Sequence, residues 1–181
     1  MARIPPVSRD EMDAEQARVY DDVMATTGRV SGPSLGYVYS PGLWEATNKV
    51  SDHLADCALT QPQVRMVALM TARFWDAQFP WFAQVGLARN AGLSDAIIHA
   101  VNDGRRPDFD NDADAAVYDL AKETLEQKKA GDATFERAAD LIGYPAMVDV
   151  IGAIGHFCKV GLMAVFVGAE APDDDPIPLK V

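Results

Sequence analysis

The chain has 181 residues, 49% of them hydrophobic and 24% charged, which suits one folded domain with a sizeable core and argues against disorder. Sixteen Lys and Arg against 27 Asp and Glu leave a net charge of −11 at pH 7. That field repels phosphate backbones and anionic membrane surfaces, so neither nucleic acid nor membrane is an expected partner, although a local cation can still hold a small anion. Two cysteines, Cys57 and Cys158, without a CxxC pair are too few for a disulfide scaffold or a structural zinc site.

The first residues run into a charged segment rather than an apolar signal region, and a cytoplasmic location is expected. Ser8 and Glu11 have capping-box spacing, predicting a helix to about Thr27 that Gly28 stops. Ser31 to Gly36 reads as a loop. Ser40-Pro41 opens a second helix, with Leu43, Ala46, Val50, Leu54 and Cys57 at spacings of three and four. Thr60 and Gln63 form another capping box, followed by a strongly helical pattern from Val64 to Trp75. Pro80 suits a first turn and no interior position, so a break near Gln78 and a new helix to Gly92 are expected.

Ser94 opens a short helix, Asp95 to Val101, and 102–107 reads as an exposed loop. Asn111 to Lys129 is amphipathic and ends at Gly131. Asp132 to Ile142 and Pro145 to about Val167 are the last helices. The apolar run 151–169 approaches spanning length, but His156 and Lys159 at its middle favour a buried helix over a membrane span. No strand-period segment appears, so the class is all-α: a single domain over 1–170, then an acidic, proline-rich tail over 171–181, extended or mobile.

From Gly32 to about Gly168 the sequence resembles the carboxymuconolactone decarboxylase family of the alkylhydroperoxidase-D-like all-α superfamily. The resemblance rests on Gly32-Pro33, on 40–44 (SPGLW), on 64–73 (VRMVALMTAR) and on 78–84 (QFPWFAQ). Segments 87–94 (LARNAGLS), 104–107 (GRRP) and 150–157 (VIGAIGHF) complete it. It implies a helical bundle, a homo-oligomer built as a trimer or a multiple of one, and cofactor-free chemistry on a small carboxylated, aromatic-derived acid or lactone. Decarboxylase members carry a Glu where Arg65 stands, then Glu-Trp-x-x-His where Pro80, Trp81 and Gln84 stand. Peroxidase members carry Cys-x-x-Cys-x-x-x-His where Ala77, Pro80 and Gln84 stand, so thiol peroxidase chemistry has no redox pair here.

The residues that remain suggest another arrangement. Arg65 and Gln84, near each other if the fold is kept, suit a substrate carboxylate or a developing oxyanion. His156, in the apolar run, is the candidate proton-transfer group, against the plainer role of a core histidine. Trp44, Trp75, Phe79 and Trp81 are candidate walls for a ring-shaped ligand, against ordinary core. Cys57 with His53, nominally on one helix face with Asp56, is a lesser candidate nucleophile pair, and His99 reads as a solvent-facing helix-end residue. The three histidines fall on different predicted helices, so no metal and no cofactor is expected. A lyase, decarboxylase or hydrolase is the leading reading, and a non-catalytic binding or scaffold protein on the same fold is the alternative.

Overall fold

The computed structural model describes residues 3–180; Met1, Ala2 and Val181, at the ends of the expected domain and tail, lie outside the described residues. These residues form a short 3-10 turn, Arg9–Glu11, and eight helices without strands. The helices are α1 (Ala14–Thr27), α2 (Ser34–Tyr37), α3 (Pro41–Ala55), α4 (Gln61–Phe74), α5 (Gln78–Asn90), α6 (Asp95–Asn102), α7 (Asp112–Gln127) and α8 (Asp132–Val167).

Helix α4 is the axis of the fold and touches α5, α6, α7 and α8. Its capping box is present: Thr60 Oγ1 accepts from the Gln63 amide, and Gln63 Oε1 accepts from the Thr60 amide. From Gln63 to Ala72 every residue except Arg65 is buried, as a helix that is apolar nearly all round must be. Helix α8 bends at Gly143, whose φ of 74° and ψ of 164° are not helical, immediately ahead of Pro145. Its second half lays Ala153, Ile154, Phe157 and Ala164 into the core. By length and composition α8 is apolar enough to cross a membrane, but that inner face is packed against the bundle.

Several boundaries differ from expectation for local reasons. The Ser8–Glu11 box closes only the 3-10 turn, because a second box, Asp13 with Gln16, caps α1 one turn later. Helix α3 stops at Ala55, short of Cys57: the Gln61 side chain donates to the carbonyls of Leu54 and Ala55, both at 3.0 Å, and seals the end. Lys128, at φ 68°, ends α7, while Gly131 opens α8 and donates its amide to Glu123 at 2.8 Å.

The tail is extended, and it is docked rather than loose. Ile177 and Leu179 are buried. The Trp81 indole donates to the Ile177 carbonyl at 2.7 Å, and Asn102 pairs with the Pro178 carbonyl and the Lys180 amide at 3.0 and 2.8 Å. Of the two expected states the tail takes the extended one, and two apolar side chains among the acids and prolines suffice to anchor it.

Candidate functional site

Helix α3 presents Thr47, Ser51 and the Leu54–Ala55 carbonyls at one-turn intervals, and each meets a polar group from elsewhere. Thr47 Oγ1 donates to the Leu43 carbonyl at 2.7 Å, which leaves its lone pair to accept from Lys159 Nζ at 2.9 Å. Ser51 Oγ lies 3.2 Å from His156 Nε2. The Gln61 side chain, held by the Leu54 and Ala55 carbonyls, accepts from Arg65 at 3.4 Å, and Gln84 Oε1 accepts from Arg65 Nη1 at 3.2 Å. Lys159 and His156 therefore meet α3 one turn apart, about 5 Å by the helix pitch, and Arg65 follows at the end of α3 through Gln61, completing a row.

The charge state of this row is unusual. His156 is only 6% exposed, and its pKa is pushed down to about 4 by burial first, then by the Lys159 and Arg65 cations. The imidazole is thus neutral at pH 7. Burial alone also lowers the pKa of both Arg65 and Lys159. Among the described residues neither cation has a carboxylate within ion-pairing distance, although Arg9, Arg18, Arg89, Arg105, Arg106, Arg137, Lys122 and Lys180 all do. Two half-buried, unneutralised cations in a chain of net charge −11 carry a desolvation cost that an anion would offset.

The proton on His156 can be placed from its neighbours. Ser51 Oγ also lies 3.3 Å from the Thr47 carbonyl; with the hydroxyl donating there, His156 carries its hydrogen on Nε2 and donates to Ser51. Nδ1 is then a buried lone pair without a partner, a smaller penalty than a buried N–H left unmade.

Two concavities flank the row. One, of about 460 Å³, lies between α1, α3, α4, α5 and α8, with Trp44, Asn48, Phe79, Gln84 and Phe157 in its wall. The other, an open depression of about 570 Å³ between α3 and α8, is lined by His156 and Lys159 with Val50, Val148, Ile151 and two glycines. Gln84 links the first concavity to Arg65. Phe79 is held against Gly32, whose φ of 59° suits glycine and at which an added Cβ would lie 2.0 Å from the Phe79 ring.

Of the residues singled out in the sequence, Arg65 and Gln84 are brought into contact, and His156 joins them electrostatically. Trp44 and Phe79 face the first concavity. Trp81 does not: it is fully buried, with its N–H spent on the tail. Trp75 lies outside that wall, packed edge-on to Phe74 and against Gly161. The Cys57–His53–Asp56 face is absent, because α3 ends at Ala55, after His53 but before Asp56 and Cys57. His53 Nε2 pairs instead with Asp149 at 2.8 Å, and burial, together with nearby Asp149, pushes the Cys57 thiol up rather than activating it. Cys158 is likewise pushed up by burial. His99 stands in the last turn of α6. Among the described residues no group of three His, Cys, Asp or Glu side chains could hold a metal ion. Lys159, Thr47 and Ser51 were missed as site residues. The available signals were the three-residue step from His156 to Lys159 in an otherwise uncharged stretch, and Thr47 and Ser51 four apart on α3.

Two solved structures share this architecture. One is an uncharacterized peroxidase-related protein from Ralstonia eutropha JMP134, described as an alkylhydroperoxidase AhpD core, with a TM-score of 0.78, 18% identity, and coverage of 98% of this chain and 97% of that one. The other is a protein of unknown function from Agrobacterium tumefaciens, described as a putative antioxidant defence protein AhpD, with a TM-score of 0.68, 18% identity, and coverage of 76% and 96%. The chain has the AhpD-like fold. No family model and no curated protein matches its sequence. At this identity the AhpD-like likeness is one of fold, and the row along α3 has to be interpreted from its own chemistry.

Proposed function

We propose that the protein binds a small organic anion at the Arg65–His156–Lys159 row and acts on it by proton transfer, as a cofactor-free lyase, decarboxylase or hydrolase. The substrate class is a carboxylated, aromatic-derived acid or lactone. The observation that carries this reading is the pair of half-buried cations without a carboxylate partner on either side of a buried, neutral imidazole. The aromatic wall of the adjacent concavity suits the ring of such a ligand.

In the empty site burial first, and the two cations after it, keep His156 unprotonated and make it a weak base. An anion between them neutralises part of their field, so the His156 pKa rises as substrate binds and the imidazole becomes a competent proton acceptor. Arg65, held by two amide oxygens, stabilises negative charge that develops on the substrate. Peroxidase chemistry, named in the description of the Ralstonia eutropha neighbour, has less support: both thiols are pushed up by burial, and no redox pair stands at the start of α5.

A thermal-shift screen of aromatic acids, lactones and their ring-opened products tests the reading. A ligand at one hundred times its dissociation constant stabilises by about 2.7 kcal/mol. That shift is expected for carboxylated compounds and is expected to disappear in Arg65→Ala. If no carboxylate shifts the wild type, the anion site is refuted. If a ligand binds through Arg65 but is never turned over, the non-catalytic alternative holds.

A further inference from the structure

Lys159 is a half-buried amine whose surroundings leave it free to react. Nζ donates to Thr47 Oγ1 at 2.9 Å, and the Thr47 hydroxyl hydrogen goes to the Leu43 carbonyl at 2.7 Å. This contact anchors one N–H and supplies no negative charge. Lys122 and Lys180, by contrast, are ion-paired with Glu126 and Asp103. Residues 150–169 contain no acid that could do the same for Lys159. Burial lowers the Lys159 pKa, which raises its share of uncharged amine.

The same amine lines the open depression of about 570 Å³ between α3 and α8. Val50, Val148 and Ile151 make its walls apolar, and Gly152 and Gly155 leave the α8 backbone bare beside Lys159. An added Cβ at either glycine would meet nothing, so a small molecule has room to lie there. His156, the remaining lining residue, is neutral at pH 7. The depression therefore offers a nucleophile and apolar contact, and no second cation for a carboxylate.

We infer that Lys159 forms an imine with a small, uncharged aldehyde or ketone seated in this depression. The lone pair of the uncharged amine attacks the carbonyl carbon and forms the C–N bond, while the carbonyl π pair moves onto oxygen. One Nζ hydrogen passes to that oxygen through solvent water, which reaches the open depression, and a carbinolamine results. Its hydroxyl then takes a proton from solvent and leaves as water, and the nitrogen lone pair closes the C=N bond. The protonated imine keeps one N–H, and Thr47 Oγ1, already the acceptor for Nζ, is in place to hold it. The step consumes one carbonyl compound, releases one water and needs no oxidant or reductant. It goes beyond the anion site, since neither Arg65 nor a carboxylate takes part.

Benzaldehyde, which carries no carboxylate, tests this on the full chain at pH 7. Sodium cyanoborohydride traps any imine as a benzyl-lysine, and peptide mass spectrometry reads each lysine separately. Lys49, Lys128 and Lys129 are more exposed than Lys159, so a reaction governed by access alone labels them first. Lys159 is expected to label several-fold faster than any of the three. Gly155→Glu sets a carboxylate one turn before Lys159, in the favourable order for an ion pair, and fills part of the depression. That variant is expected to keep its helical circular dichroism, with Lys159 labelling reduced to the rate of Lys128 or below. Wild-type Lys159 that labels no faster than Lys128 overturns the inference, and this comparison stands without the variant. A folded Gly155→Glu protein that labels Lys159 at the wild-type rate also overturns it, because neither the unpaired amine nor the open depression would then matter. The thermal-shift screen of carboxylates bears on Arg65 instead, so the two readings fail separately.

Discussion

His156 is where the chemistry of this molecule is most exposed to test. Its pKa is about 4 in the folded chain against an ordinary 6.5, so between these values the unfolded state binds the proton and the folded state does not. Stability is therefore complete above pH 6.5 and falls as pH drops toward 4, by on the order of 3 kcal/mol from this group. Urea denaturation at pH 7 and pH 4.5 is expected to show that loss in wild type and a clearly smaller one in His156→Gln, which keeps a polar group beside Ser51 without a titrating nitrogen. Equal losses in both proteins would mean that His156 is not held neutral by its surroundings. At the same scale, Arg65 and Gln84 were legible in the sequence as a pair, since a likeness of fold places α4 beside α5. Lys159 was not, because a single lysine in an apolar run reads first as an argument against membrane insertion.

At the scale of elements, the segment after Pro172 shows how much two apolar side chains add to what composition gives. Acids and prolines predict an extended or mobile tail; it is extended and docked, with Ile177 and Leu179 reaching the core and the Ile177 carbonyl accepting from the buried Trp81 N–H. Ile177→Ala is expected to cost about 2–4 kcal/mol in urea unfolding; a cost within a few tenths would mean that the tail contributes no packing. Helix caps were largely readable, because Thr60–Gln63, Ser94 and Asn111 act through neighbours two or three residues away. The end of α3 was not. The seal there comes from Gln61, beyond the turn, and Asp149 from α8 holds the Ala58 amide at 2.8 Å. Cys57 continued the helical spacing in sequence, and only those longer-range contacts remove it from the helix.

For the whole molecule, the contrast is between a strongly acidic exterior and a row along α3 whose two half-buried cations meet no carboxylate among the described residues. The bundle was legible in outline because its helices have clear periodicity and breakers, Pro80 and the Gly143–Pro145 bend among them. The row was not legible as a unit, since its members come from α3, α4, α5 and α8 and meet only when α8 lies along α3. An acidic surface slows the approach of an anion in bulk, and the row must then hold the ligand by desolvated charge. Such binding has a signature that a neutral pocket lacks: the anion and the proton on His156 stabilise each other. The most direct measurement is a titration of the His156 imidazole by nuclear magnetic resonance, alone and with saturating benzoate as the simplest ring carboxylate. The expected result is a pKa near 4 alone and a clear rise toward the ordinary value with benzoate bound. A His156 titration that benzoate leaves unchanged would contradict the anion site and the proton transfer built on it.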